Sequence, residues 1–241
     1  MPLPLAVTVI GATGLVGRHL VKDLARRDGV DVVNVYARSE RPPALSEKVE
    51  WRDFPELEYF ADAVDQPGML ERMARVVGSD LVLGDVFLSC LGTTRKRAGS
   101  TTRFRFVDFA VNAAFARAAR EIGYDRYGLV SSVGADADSM LPYSRVKGEL
   151  EDYARSLKFE GLDIYRPGVL TGARDEKRFG ESLAARLLSA AAKVVPALAG
   201  APFAPTAAAT LAEAMAEQVL RRGSGEKVLY NSDIQGLTNY E

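Results

Sequence analysis

Short runs of apolar, often β-branched residues alternate along the chain with longer segments whose apolar positions recur at helical spacing. The run at residues 6–10 is typical of a strand buried on both faces, and residues 15–25 follow the spacing of an amphipathic helix. Further strands are predicted over residues 32–36, 49–51, 85–91, 126–131, 162–165 and 228–230. Further helices are predicted over residues 67–77, 103–122, 143–159, 181–195 and 206–222.

Strands and helices in this alternation predict an α/β fold. We expect a Rossmann-type, doubly wound parallel sheet with helices on both faces, because right-handed crossovers place successive helices on either side of a parallel sheet. After Pro167 the alternation weakens, and Pro196, Gly200, Pro202 and Pro205 mark an irregular connection. We therefore predict a single domain over residues 1–241, with a small C-terminal elaboration on the substrate side, mainly in residues 168–205.

Composition narrows the function classes. The 241 residues carry 31 basic and 32 acidic side chains, so no charge bias favours nucleic acid or an acidic membrane, and no apolar run reaches the roughly 20 residues of a membrane span. The apolar N-terminal run leads into a glycine loop, which predicts a strand rather than a signal peptide. Cys90 is the only cysteine and His19 the only histidine, which excludes an internal disulfide and a multi-histidine metal site. We expect a cytoplasmic protein without a metal.

A glycine loop of sequence GATGLVG occupies residues 11–17, between the first strand and the first helix. Gly11 permits a tight turn, Gly14 lets a pyrophosphate approach the backbone, and Gly17 lets the helix pack closely. The helix N-terminus then offers free N–H groups and a partial positive charge to an anion. The predicted dinucleotide-binding residues are Gly11, Thr13, Gly14, Leu15, Val16 and Gly17. The alternative is a helix-initiating turn that binds nothing.

The end of the second strand indicates which dinucleotide is preferred. Arg38 stands where an acidic residue would bind the ribose 2′-hydroxyl of NAD, and an arginine there can pair with the 2′-phosphate of NADP. We therefore favour NADP(H) over NAD(H), with a solvated loop arginine as the alternative. Asp53 and Phe54, after the third strand, are candidates to border the adenine.

Tyr143 and Lys147 lie four residues apart on a predicted helix and so share one helical face. An ammonium beside a phenol favours the phenolate, which makes Tyr143 a candidate general acid for carbonyl reduction or base for alcohol oxidation. Ser131 and Ser132 end a strand at the carboxyl edge of the sheet, where ligands bind in open α/β folds. The alternative is a surface tyrosine next to a solvated lysine.

Several further segments resemble a known family. The chain has CLGTTR at residues 90–95, AG at 98–99, SS at 131–132, GAD at 134–136, Tyr143, VKGE at 146–149, LKF at 157–159 and RPGVL at 166–170. In these it resembles the short-chain dehydrogenase/reductase superfamily, in its extended or atypical branch, and more narrowly the Tat-interactive-protein oxidoreductase family. The similarity runs from Val7 to Leu220, and CLGTTR and RPGVL are more specific than the tyrosine–lysine pair.

This resemblance implies an NADP(H)-binding domain with a serine–tyrosine–lysine site, in which Ser132 is the catalytic serine. Lys147 would also bind the nicotinamide ribose. The further residues that the resemblance places beside the cofactor are Leu91, Gly92, Leu170 and Arg178. It also assigns Asn112 a supporting role in a proton relay, with a helix-surface asparagine as the alternative. Members with nucleotide-sugar substrates carry a larger C-terminal domain, so a small substrate is expected here.

Three functions remain open at this point. The favoured one is an NADP(H)-dependent oxidoreductase that transfers hydride to or from a small carbonyl or alcohol substrate. The alternative is an NADP(H)-binding regulator that signals cofactor state to a protein partner with little or no turnover, and a homodimer is also left open. An epimerase or dehydratase with tightly held NAD uses the same fold, but Arg38 and the short C-terminal part weigh against it.

Overall fold

The computed structural model describes residues 3–43, 45–63, 66–172 and 203–238, and a seven-stranded sheet lies at its centre. Every neighbouring pair of strands in this sheet is parallel, in the order β3-β2-β1-β4-β5-β6-β9. Its strands are β1 (Leu5–Ile10), β2 (Val30–Ala37), β3 (Val49–Asp53), β4 (Val86–Ser89), β5 (Arg126–Val130), β6 (Gly161–Arg166) and β9 (Gly225–Tyr230). A separate pair of short parallel strands, β7 (Leu170–Thr171) and β8 (Thr206–Ala207), lies outside it.

Helices cover both faces of the sheet, because successive side chains of each central strand point to opposite sides and both sets are apolar. Val86 and Leu88 of β4 join one buried cluster, whereas Phe87 joins the other. The first cluster is completed by α1 (Gly17–Leu24), α7 (Ala208–Leu220) and α8 (Asn231–Thr238). The second is completed by α2 (Met69–Asp80), α5 (Asn112–Ile122) and α6 (Pro142–Ser156). The predicted Rossmann-type fold is thus confirmed.

Several predicted boundaries were wrong by a few residues, each for a local reason. The predicted helix over residues 143–159 ends at Ser156, since Lys158 adopts a left-handed conformation with φ of 55°. The predicted helix over residues 206–222 loses its first two residues to β8, which pairs with β7. The strand predicted over residues 228–230 begins at Gly225, because pairing with β6 extends it. Sequence analysis missed α8, the short helix α3 (Arg95–Ala98) and a 3-10 helix at Glu58–Ala63.

The long helix predicted over residues 103–122 contains an irregularity. It begins as α4 (Thr101–Arg105), where the Ser100 hydroxyl accepts the Arg103 N–H at 3.0 Å. A π-helical turn at Phe106–Val111 follows, and α5 then continues to a left-handed Gly123. A π turn inserts one residue per turn and re-aims the side chains around it, and such turns often lie at functional sites.

The strand order reverses on either side of β1, which places a crevice between the carboxyl ends of β1 and β4. In open parallel sheets ligands bind outside this reversal point. The glycine loop leaves β1 there, and Cys90 and Leu91 leave β4. Both predicted halves of the site are therefore at the same edge of the sheet. Arg178 and the helix predicted over residues 181–195 lie outside the described residues, as does most of the 168–205 segment.

Candidate active site

The glycine loop packs so closely against its surroundings that two of its positions exclude any side chain. Gly11 has φ of 77°, and a Cβ there would lie 2.5 Å from the backbone of Cys90 and Leu91. A Cβ on Gly17 would lie 2.3 Å from the carbonyl oxygen of Gly11. A Cβ on Gly14 would have only that oxygen and one of Cys90 within 4 Å, at 3.0 and 3.9 Å, which leaves its other side open. This is the backbone cradle that a pyrophosphate requires at a helix N-terminus.

A cavity of 870 Å³ opens beside this loop, bounded by the carboxyl ends of β1, β2 and β3. Four of the residues predicted to bind the cofactor line it, namely Gly11, Thr13, Arg38 and Leu91. Asp53 and Phe54, the predicted adenine neighbours, line it as well. Arg38 is exposed at the end of β2, on the side where a dinucleotide ribose would lie. The cavity therefore has the size, lining and position for an adenine nucleotide.

Leu170 comes to the site from the far side of the sheet. The segment that contains it reaches the glycine loop, because a Cβ on Gly172 would lie 2.9 Å from the Cδ1 atom of Leu15. Leu15 and Leu170 are both partly buried and pack against the same core cluster. The structure thus brings the segment of Leu170 to Leu15, near the start of α1.

Tyr143 lies in the first turn of α6, just after Pro142 opens the helix. Its side chain is 39% exposed, and its ring packs on Phe104 of α4, with ring centroids 5.8 Å apart. Phe104 is itself fully buried. An aromatic support fixes the plane of the phenol, while the exposed remainder leaves its hydroxyl accessible to a substrate.

Lys147, one helical turn further on, is almost entirely buried. Its Nζ lies 3.0 Å from Oδ1 of Asp108, which projects from the π turn and is also buried. Burial alone would lower the pKa of Lys147, but the charges of Asp108 and of Tyr143 outweigh it and raise that pKa. A Cβ on Gly92 would lie 3.5 Å from this Nζ, so the predicted cofactor-lining Gly92 is next to the ammonium. The predicted alternative of a solvated lysine is wrong.

The two strand-end serines differ in their surroundings. The Ser131 hydroxyl donates to buried Glu151 at 2.5 Å, and Glu151 also accepts two hydrogen bonds from Arg166, at 3.0 and 2.6 Å. Ser132 is only partly buried, and its hydroxyl contacts the Val133 carbonyl at 3.2 Å. The Ser131 hydroxyl is therefore bound to a buried carboxylate inside the protein. The Ser132 hydroxyl can turn to a ligand.

Asn112 is buried, so the helix-surface alternative is wrong. Its Nδ2 donates to the carbonyl oxygens of Val107 at 3.0 Å and of Asp108 at 3.3 Å, and the Ser89 hydroxyl donates to its Oδ1. These bonds tie the Asn112 side chain to the backbone of the π turn. Asn112 stabilises the turn that carries Asp108.

Sequence reasoning missed three residues of the site: Phe104, Asp108 and Glu151. A signal for Asp108 was present, since it is the single acid in the apolar stretch FRFVDFAV at residues 104–111. An acid amid apolar residues of a helix is expected to be buried and paired. Its partner could not be read from the sequence, because Lys147 is on another helix.

From the sequence, Cys90 is expected to be an inert packing residue and the basic segment at residues 95–97 a solvated loop. Cys90 packs against the core, and burial of its thiol raises the pKa to about 12, which agrees with an inert packing role. The exposed helix α3 is formed by Arg95, Lys96, Arg97 and Ala98, and its basic side chains are solvated.

Within the described ranges no helix is long and apolar enough to cross a membrane. No group of three or more potential metal-ligating side chains occurs in those ranges either.

Comparison with known proteins identifies related chains. The family model of the NAD dependent epimerase/dehydratase family matches residues 7–196. "Protein fmp52-1, mitochondrial" of Aspergillus terreus is 34% identical over 189 residues, which cover 78% of this chain and 77% of that protein. "Protein FMP52, mitochondrial" of Candida albicans is 36% identical over 182 residues, 73% of this chain and 72% of that one.

Solved structures share the fold. The Bordetella bronchiseptica enzyme WbmH in complex with NAD+ superposes with a TM-score of 0.62 at 12% identity, covering 94% of this chain and 75% of that one. The UDP-Glc/GlcNAc 4-epimerase of Campylobacter jejuni gives a TM-score of 0.63 at 11% identity, covering 96% and 82%. At this identity the likeness shows the fold alone.

The expected cytoplasmic location is contradicted, since the curated relatives are named as mitochondrial proteins. That expectation rested on a lone cysteine and the lack of a recognisable signal peptide. Neither feature distinguishes the cytoplasm from another compartment that keeps thiols reduced.

Proposed function

The chain belongs to the NAD dependent epimerase/dehydratase family, and from that premise we propose that it is an NADP(H)-dependent oxidoreductase acting on a small carbonyl or alcohol. One observation carries this proposal: Tyr143 is exposed one helical turn before Lys147, which is buried and paired with Asp108 beside Gly92, in the loop that follows β4. Within the wider family we place the chain with the Tat-interactive-protein oxidoreductases, on the segments CLGTTR and RPGVL.

The residues proposed to bind the cofactor lie around its pyrophosphate, its 2′-phosphate and its nicotinamide ribose. Backbone N–H groups of Thr13, Leu15 and Val16 bind the pyrophosphate at the start of α1, and the Gly14 N–H, which donates to the Gly11 carbonyl at 2.9 Å, holds the turn of the loop. Arg38 pairs with the 2′-phosphate, which is the basis of the preference for NADP(H). Gly92 and Lys147 face the nicotinamide ribose. Leu170 and Arg178 are proposed to bind from the opposite side.

The proposed chemistry is a carbonyl reduction or its reverse. When bound, the cofactor supplies hydride from its nicotinamide C4. Ser132 donates a hydrogen bond to the substrate oxygen and so orients the carbonyl. Tyr143 transfers its phenolic proton to that oxygen, and the Lys147 ammonium stabilises the phenolate that remains. The products are an alcohol and the oxidised cofactor, so atoms and electrons balance.

The test is NADPH consumption against a panel of small aldehydes, ketones and quinones. Tyr143→Phe should lower kcat at least 100-fold, since loss of a positioned proton donor costs about 10²–10⁴ in rate. Tyr153→Phe is the matched control, because it makes the same change almost three turns further along α6, away from the catalytic pair. Equal turnover by wild type and Tyr143→Phe would refute the proposed proton donor.

Arg38 provides a separate test of cofactor preference. Arg38→Ala should weaken NADPH binding about 10- to 100-fold, the effect of losing a charge-assisted hydrogen bond of about 1.5–3 kcal/mol. NADH binding should change by less than about threefold, as NADH lacks the 2′-phosphate. A parallel loss of affinity for both nucleotides would contradict the assignment of Arg38.

A further inference from the structure

Lys147 carries a buried positive charge that needs a partner. Its ammonium lies inside the protein, between α6 and the π turn. A fully desolvated lysine without a counter-ion loses its proton far below its usual pKa. The role proposed for Lys147 requires the charged form, so some group must keep it protonated.

Asp108 has the geometry for this task. Its Oδ2 accepts the N–H of Thr93 at 2.8 Å, which fixes the carboxylate against the loop that follows β4. Its Oδ1 lies 3.0 Å from Lys147 Nζ and, within the part of the chain that the structure describes, has no other polar partner. Oδ2 thus holds the Asp108 carboxylate in place, and Oδ1 faces the Lys147 ammonium.

The loop that follows β4 and the π turn pack closely around the Lys147–Asp108 ion pair. Gly92 has no side chain, and a Cβ there would lie 3.3 Å from Asp108 Oδ1, so the backbone of the cofactor-lining loop closes over the pair. Asp108 belongs to the π turn, and the Asn112 side chain donates to the carbonyl groups of Val107 and Asp108 in that turn. The π turn therefore aims a carboxylate that a regular helix would direct elsewhere.

The other charged and titratable groups near Lys147 do not replace Asp108. Tyr143 faces it from the same helix, but it contributes a charge only as the phenolate, which in the proposed reduction forms after proton transfer. Glu151 is one turn further along α6, but its carboxylate is held by Arg166 at 2.6 Å and by Arg155 at 3.4 Å. Its charge is largely neutralised by these arginines.

We propose that Asp108 is a positioning residue of the active site, the buried counter-ion that holds the Lys147 ammonium charged and in place beneath Tyr143 and Gly92. Asp108 touches neither substrate nor the reacting atoms, and it acts through Lys147. This assignment deepens the proposed oxidoreductase function and rests on it for its role in turnover. The ion pair itself can be tested without turnover.

The primary experiment is an NMR titration of the protein labelled with ¹³C at lysine Cε, without substrate or cofactor. Lys147→Arg assigns the Lys147 resonance. In the wild type we expect Lys147 to lose its proton above the range of an ordinary lysine, because the Asp108 carboxylate beside it raises its pKa. Titration of Lys147 in the wild type below about pH 9 would overturn the proposal, whatever the variants do.

Asp108→Asn keeps the size of the side chain and an oxygen for the Thr93 N–H, removes the charge, and replaces the oxygen that faces the ammonium with an amide NH2 group. We expect the Lys147 titration to move down by about two pH units or more, as for a buried lysine without a counter-ion. Asp108→Glu should restore most of the wild-type titration. Glu149→Gln is the matched control, because it removes a carboxylate two residues from Lys147 that is paired with Arg105. An unchanged Lys147 titration in folded Asp108→Asn would overturn the proposal.

Turnover supplies the second readout. In Asp108→Asn the high-pH limb of kcat should move to lower pH, because Lys147 loses its proton earlier. A merely structural role would lower activity equally at every pH, which would overturn the proposal. If the wild type shows no NADPH turnover while the Lys147 titration shifts as expected, the ion pair stands and the proposed oxidoreductase function fails.

Discussion

The first turn of α1 packs against the glycine loop without room for a side chain at Gly17. A Cβ there would lie 2.3 Å from the Gly11 carbonyl oxygen and 2.7 Å from the Ala12 Cα. Both are backbone atoms and cannot rotate away. Gly17→Ala must therefore move the helix start from the loop by roughly 1 Å to regain ordinary van der Waals separation.

The magnitude follows from two opposing effects. Alanine in place of glycine in a helix stabilises the fold by at most about 1 kcal/mol. Overpacking costs about 1–3 kcal/mol, and a clash with backbone lies at the upper end of that range. We expect Gly17→Ala to lower the free energy of unfolding by about 2 kcal/mol, a fall in Tm of roughly 4–8 °C for a chain of this length. NADPH affinity should fall at least about tenfold, since the N–H groups of the first turn leave the pyrophosphate.

Gly78→Ala is the matched control. Gly78 lies inside α2, and a Cβ there would meet only the Ala118 Cβ, at an ordinary 3.9 Å. This variant should gain about 1 kcal/mol in stability and keep its NADPH affinity. Urea unfolding measures the first quantity and calorimetric titration the second. A Gly17→Ala protein with wild-type stability and affinity would refute the close packing on which the site depends.

Three further predictions concern two buried tyrosines and the partly buried Cys90. The Tyr124 hydroxyl contacts the Thr8 hydroxyl at 2.6 Å and donates to the Val82 carbonyl at 2.8 Å, so Tyr124→Phe should cost about 1–3 kcal/mol in urea unfolding. The buried Tyr127 hydroxyl has only a loose approach to the Ser89 hydroxyl, which itself donates to Asn112, so Tyr127→Phe should change stability by less than about 0.5 kcal/mol, and equal losses would contradict this reasoning. Because burial raises the pKa of Cys90 to about 12, its thiol should react slowly with a disulfide reagent at pH 8 and rapidly in urea. A fast reaction in the native state would show that the thiol is accessible.

The sequence predicted those parts of the fold that local patterns determine. The central strands were recognisable because both of their faces are apolar, and the glycine loop because strand, loop and helix occur in order. Helix ends were less accurate, since the end of α6 depends on the left-handed Lys158. The β7–β8 pair joins residues more than thirty positions apart, and no local sequence pattern predicts that pairing.

The candidate site was predicted to a similar extent. Tyr143 and Lys147 share a helix, so their spacing placed them together. Asp108 lies on another helix, in a π turn, and pairs with Lys147 from there. Glu151 accepts the Ser131 hydroxyl, which leaves Ser132 as the serine available to a ligand. Contacts of this kind depend on how the helices pack, which hydrophobic periodicity does not specify.

Transfer of deuterium from the cofactor tests the central claim most directly. The protein is incubated with NADPH carrying deuterium at the transferred C4 position, once for each face, and with the carbonyl panel, and the products are analysed by mass spectrometry. We predict an alcohol with one deuterium on the former carbonyl carbon, from one face only, formed by the wild type and at least 100-fold more slowly by Tyr143→Phe. NADPH that binds but yields no labelled alcohol from any member of the panel would contradict the account.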